Sequence, residues 1–131
     1  MKDFEKAAKT YKKGVRLSPK HYTARFNLAC AYFELQKYEE ALDQLRILER
    51  GENAWGAHYD RLYDMFSVVF DKVLRREIES KAPSEQIQRI KKTAIRYNQL
   101  TIENSDQGNK KSAAYAQNAK NRLSEIEKLG V

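Results

Sequence analysis

The sequence predicts an all-α chain of about six helices. Three observations carry that expectation. Lys, Glu, Ala, Leu, Arg and Gln dominate the composition, and these are strong helix formers. Only two prolines and five glycines interrupt the chain, and they are scattered. Apolar residues recur at helical spacing, and alternating apolar/polar runs of the kind strands need are absent.

The elements follow in order. A first helix starts near Asp3, a plausible N-cap, and closes before Ser18-Pro19. Its last turns carry Lys12 to Arg16, where positive charge suits the helix dipole. A second helix runs from about His21 to Leu35, with Leu28, Tyr32 and Leu35 on one stripe. A third runs from about Tyr38 to Arg50, with Tyr38, Ala41, Leu42 and Leu45 inward, and ends at Gly51 as a C′ residue. From Trp55 to Ile78 the apolar stripe is unbroken, through Tyr59, Leu62, Tyr63, Phe66, Val69, Phe70, Val73 and Leu74. One long fourth helix is therefore expected, roughly Ala54 to Ser80; the alternative is two helices with a turn near Phe70-Asp71. Pro83-Ser84 starts a fifth, with Ile87, Ile90, Ala94, Tyr97 and Thr101 inward. Residues 105–109, "SDQGN", form a turn. A last helix runs from about Lys110 to Leu129, with Tyr115 or Ala116, Ala119, Leu123 and Ile126 inward.

Two of these segments repeat. "DFEKAAKTYKKGVRLSP" from Asp3 and "KYEEALDQLRILERGEN" from Lys37 lie 34 residues apart. Phe4 corresponds to Tyr38, Glu5 to Glu39, Ala7 to Ala41, Tyr11 to Leu45 and Pro19 to Asn53. With Leu28, Ala29 and Tyr32 on the helix between them, residues 3–55 resemble the tetratricopeptide repeat family. The small residues have a physical task, because Ala29 and Ala41 let paired helices approach closely. The resemblance implies a right-handed antiparallel solenoid, with one full repeat preceded by the second helix of another. It weakens after residue 55. A further repeat would put Tyr63 and Arg75 where small residues are needed, so residues 56–131 are expected to be degenerate repeats or a helical cap. The whole of 1–131 is expected to be a single helical domain, taken from a longer protein.

What the resemblance implies about function is protein binding through a concave groove lined by the first helix of each repeat. The residues it assigns there are Thr23, Phe26, Cys30, Phe33 and Glu34, followed on the next such helix by Ala57, Asp60, Asp64 and Ser67. An apolar wall beside Asp60 and Asp64 would suit a basic peptide or amphipathic helix. The competing expectation is that late helices fold over Phe26 and Phe33 and make them core. One subfamily clamps a chaperone's C-terminal carboxylate with Lys, Asn and Arg. Asn27 stands at the asparagine position, but Asp60 and Asp64 stand where the two cations belong and would repel a carboxylate.

Other function classes find less support. The net charge is +7, with +3 over residues 1–53, zero over 54–83 and +4 over 84–131. Arg89, Lys92 and Arg96 share a helix face, the basic stripe a nucleic acid would use, yet Tyr97 points inward and no exposed aromatic accompanies it. Nucleic acid is therefore a disfavoured alternative. Self-assembly is a third reading, through the apolar side of the first helix or through Trp55 and Tyr59, giving a homodimer. His21 and His58 lack Cys or His neighbours at metal spacing, Cys30 lacks an activating histidine, and "GNKKS" at 108–112 lacks the upstream glycine and strand of a phosphate loop. No enzyme, cofactor or metal is expected. One cysteine permits no internal disulfide, the N-terminus shows no signal peptide, and the apolar runs are too short to span a bilayer. A cytoplasmic location is the default, although a fragment would hide a signal or anchor.

Overall fold

A computed structural model describes residues 2–51 and 59–131, with Lys2 described by its backbone alone. Six α-helices and no strands occur among these residues: α1 (Lys2–Leu17), α2 (Tyr22–Glu34), α3 (Tyr38–Arg50), α4 (Tyr59–Glu79), α5 (Ser84–Glu103) and α6 (Lys110–Glu127). The fold is an all-α helical repeat. Contacts divide the chain into two compact units, Met1–Gly56 and Ala57–Val131, where one domain of 1–131 was expected to change character at residue 55.

In the first unit α1 packs on α2, and α2 on α3. Leu28 and Ala31 of α2 meet Ala8 of α1, with Ala7, Tyr11, Val15, Tyr32 and Leu35 around them. Ala29 and Ala41 are both fully covered, as a close α2–α3 approach requires, and Leu45 and Leu48 fill the space beside them. Gly14 adjoins α2 closely enough that a Cβ there would touch the Cβ of Ala24 at 3.8 Å. His21 caps α2 with its imidazole, Nδ1 accepting from the Ala24 N–H at 3.1 Å. The buried Arg25 ties the turn before α2 to α3: it donates to the Pro19 carbonyl at 3.1 Å and to Gln44 Oε1 at 2.9 Å.

Helix α2 ends in a Schellman motif. Lys37 N–H donates to the Tyr32 carbonyl and Gln36 N–H to that of Phe33, with Gln36 left-handed at φ 61°. The end of α4 repeats the motif: Ala82 N–H donates to Glu77, Lys81 N–H to Ile78, and Lys81 has φ 57°. Neither left-handed residue is a glycine, so neither stop carried the usual sequence mark. Gly51, expected to take that role after α3, is instead extended at φ −72°, ψ 117°, its N–H bonded to Ile47. Asp3 is not a cap either, because α1 already includes Lys2, which puts Asp3 in the first turn.

The second unit is built on α4 and α5, with α6 against both. Helix α4 is one continuous helix through Phe70-Asp71; the expected start at Ala54 lies outside the described residues. Tyr97 of α5 stacks on Phe66 at 4.3 Å between centroids and on Phe70 at 5.5 Å, and Tyr63 lies 6.0 Å away. Beside this stack, Ser67 and Thr101 face each other at 3.3 Å, both fully buried. Each hydroxyl also bonds the carbonyl one turn back, so burial leaves neither unsatisfied.

Candidate functional site

Five of the expected groove residues lie on α2 of the first unit, at the spacing that forms one helix stripe. Thr23 and Glu34 are exposed at its two ends. Cys30 and Phe33 are half-buried, and the Phe33 ring sits 5.7 Å from that of Tyr38. Phe26 is 4 % exposed and offers a partner almost no surface; it supports the stripe from within. Cys30 and Glu34, with Asn27 and Ala31, form one wall of an open groove of about 270 Å³. Its other wall is Phe4, Ala7 and Tyr11 of α1, and Phe4 is 40 % exposed. The α1 wall escaped the sequence reading, which assigned the groove to first helices of repeats alone. The signal was present: Phe4, Ala7 and Tyr11 correspond to Tyr38, Ala41 and Leu45, and the last two of these are fully buried on α3.

The remaining candidates belong to the second unit and differ from one another. Asp64 is held by Arg122, whose Nη2 donates to Oδ1 at 2.7 Å. The same guanidinium donates through Nε to Asn98 Oδ1 at 2.8 Å, and the fully buried Asn98 donates in turn to the Ala94 carbonyl. One arginine thus joins α4, α5 and α6. Burial raises the Asp64 pKa above its ordinary 3.8; Arg122 pulls it back down, and the charge of Asp60 adds to the rise. A carboxylate so engaged is a structural anion rather than an open contact. Asp60 is half-buried and accepts from the Arg61 N–H at 2.8 Å. It borders a cleft of about 560 Å³ with Asn109, Lys111, Tyr115 and Asn118. Ser67 is in the core, and Ala57 lies outside the described residues, as do Trp55 and His58.

Arg89, Lys92 and Arg96 are exposed along α5. Arg89 and Lys92 line an open groove of about 340 Å³ with Gln88 and Ile95. Tyr97, the nearest aromatic on that helix, belongs to the interior stack. Among the described residues no group of three or more His, Cys, Asp or Glu side chains is arranged to hold a metal ion. No helix among them is long and apolar enough to cross a membrane.

Residues 1–63 match the family model described as Tetratricopeptide repeat, in keeping with the resemblance of residues 3–55 to that family. The match ends at Tyr63, the residue that stands where a further repeat needs a small side chain. No curated protein and no solved structure matches the chain. Tetratricopeptide repeats are typically non-enzymatic and generally mediate protein–protein interaction.

Proposed function

We propose that the chain is a non-enzymatic interaction module, a scaffold or adaptor, that receives a peptide or helix of a partner protein along the α2 face of its first unit. The observation that carries this reading is the open groove between α1 and α2 within the repeat segment. Its apolar walls, Phe4, Ala7, Tyr11 and Ala31, lie beside the carboxylate of Glu34 and the amide of Asn27. A concave apolar strip with a few polar groups at its border is what helix-in-groove recognition uses. Thr23, Cys30, Phe33 and Glu34 are the proposed contacts on α2, with Phe26 beneath them. In the second unit Asp60 is the aspartate proposed as a contact for a basic side chain, since Asp64 already serves Arg122.

Cross-linking tests this directly. A photoreactive residue at Thr23 or Glu34, both exposed, is carried into a lysate of the source cells, with Lys120 of α6 as the control position. The expected result is one covalent adduct shared by Thr23 and Glu34 and absent at Lys120. A partner retained by the chain but cross-linked only from Lys120 rejects the α2 face. An adduct of twice the chain's own mass identifies a second copy as the occupant and replaces the adaptor reading by self-assembly.

A further inference from the structure

The first unit has a second groove, on the opposite edge of the α1–α2 pair. Its floor is the buried Ala8 with the half-buried Tyr32 and Leu35. Its rim is Lys9 and Lys12 from α1, Lys37 from the turn after α2, and Glu5. The volume is about 290 Å³. None of these rim and floor residues except Tyr32 and Leu35 belongs to α2 or its C-cap, and none is shared with the α2-face groove.

Two features set this groove apart from a lysine-coated helix surface. First, Lys9, Lys12 and Lys37 are all exposed, and among the described residues none of the three forms an ion pair. Three cations against Glu5 on the rim, with Glu40 near enough to act on Tyr32, still leave a net positive rim that favours anions. Second, the cations surround an apolar floor instead of a polar one. Tyr32, itself part of that floor, presents a phenol that is neutral at pH 7, and burial, then the charge of Glu40, raises its pKa further. A floor of this kind takes an apolar side chain, and the rim takes the carboxylates flanking it.

We propose that this groove docks an acidic amphipathic segment of a partner protein, with one large apolar side chain against Ala8, Tyr32 and Leu35 and carboxylates on Lys9, Lys12 and Lys37. Charge complementarity selects the occupant. A basic segment is repelled by the rim. A nucleic acid supplies phosphates for the lysines but needs flat, open aromatic faces for its bases, and the one aromatic here is half-buried in the groove floor. A free small molecule finds little enclosure, since the groove is open to solvent and its volume stands at the bottom of the range of about 300 to 1,000 Å³ usual for ligand pockets. An anchor residue on a longer chain fits both the size and the openness.

The test is titration of the isotope-labelled chain with a synthetic helical peptide that carries leucines on one face and glutamates flanking them. Amide shifts are expected at Ala8, Lys9, Tyr32, Leu35 and Lys37. The triple variant Lys9→Glu, Lys12→Glu, Lys37→Glu is expected to weaken the peptide at least tenfold, and to bind the lysine-for-glutamate version of the peptide better than wild type does. The milder Lys9→Gln, Lys12→Gln, Lys37→Gln variant gives the same loss without reversal, should the charge swap disturb α1. The proposal fails if the shifts fall on α5 around Arg89, Lys92 and Arg96, or if both variants keep wild-type affinity. It also fails if single-stranded RNA binds with the same lysine dependence while the acidic peptide does not bind at all. Cross-linking from Thr23 and Glu34 reads the other groove, so either assignment can fail without the other.

Discussion

Replacing Arg122 by methionine should destabilise the second unit, and the structure gives the size of the effect. Arg122 is only partly exposed, as is Asp64, each side chain at 17 %. Methionine keeps most of the side chain's packing but removes two hydrogen bonds. The first loss leaves the Asp64 carboxylate desolvated with no cation; hydrogen bonds to charged groups contribute about 1.5–3 kcal/mol. The second leaves the Oδ1 of Asn98, a fully buried residue, without its donor, at a cost of about 1–3 kcal/mol. Because water reaches the ion pair in part, we expect about 3 kcal/mol in total, the low end for breaking a buried pair. The pH dependence supplies the check. A carboxyl with a raised folded-state pKa holds a proton that the unfolded chain has already released. From its ordinary value of 3.8 up to the higher folded value, stability therefore falls as pH rises. Arg122 opposes that rise, so its removal raises the folded pKa further and extends the window upward. The loss in the variant should accordingly be larger at neutral pH than near pH 4, where Asp64 becomes neutral. Native-state hydrogen exchange of α4–α6 amides reads this unit separately from the first. A loss under about 1 kcal/mol, or one identical at both pH values, would refute the account of Arg122 as the cation that makes Asp64 tolerable.

Two further substitutions follow from backbone geometry. Gln36 and Lys81 occupy left-handed conformations that cost an L-residue roughly 1–2 kcal/mol, while glycine loses about 0.5–1 kcal/mol more chain freedom on folding. Gln36→Gly should therefore raise the stability of the first unit, and Lys81→Gly that of the second, by about 0.5–1 kcal/mol each; thermal unfolding of either variant below wild type would contradict the Schellman assignment. Gly14→Ala should also stabilise, by about 0.5–1 kcal/mol, because the added methyl meets Ala24 at ordinary contact distance within α1. Denaturant unfolding that shows a loss instead would mean that α1 and α2 lie closer than this contact allows.

The helices were legible because their signals are local. The stripe Leu28, Tyr32, Leu35 and the stripe Tyr38, Ala41, Leu45 both report a buried face from spacing alone, and the 34-residue correspondence relates α1 to α3. The ends were less legible. Schellman turns usually advertise themselves with glycine, and here Gln36 and Lys81 take that conformation while Gly51 does not. Polar core residues were legible only in part. Thr101 was expected inward and is buried, but Ser67 was assigned to the groove and Asn98 to no face; in the core each is satisfied by a carbonyl one turn back or by a side chain on another helix.

Asp60 and Asp64 show where such reading stops. They sit four residues apart on α4 and are chemically identical, so spacing assigns them one face and one role. Their difference arises from a residue 58 positions beyond the second of them: Arg122 reaches Asp64 and passes Asp60 by. No periodicity within α4 encodes that choice, because it depends on how α6, whose buried face includes Ala116, Ala119 and Ile126, packs against α4 and α5. A charge reversal at Asp60 is therefore a test of binding, whereas the same reversal at Asp64 sets a cation against Arg122 and tests folding. Asp60→Lys removes the acceptor of the Arg61 N–H and puts a cation in the first turn of α4, so it should cost the second unit about 1 kcal/mol, well below the loss at Asp64. Asp64→Lys should cost about 3 kcal/mol or more, since it leaves two buried cations facing each other. Equal unfolding midpoints for the two variants would mean that the ion pair with Arg122 does not hold the three helices together.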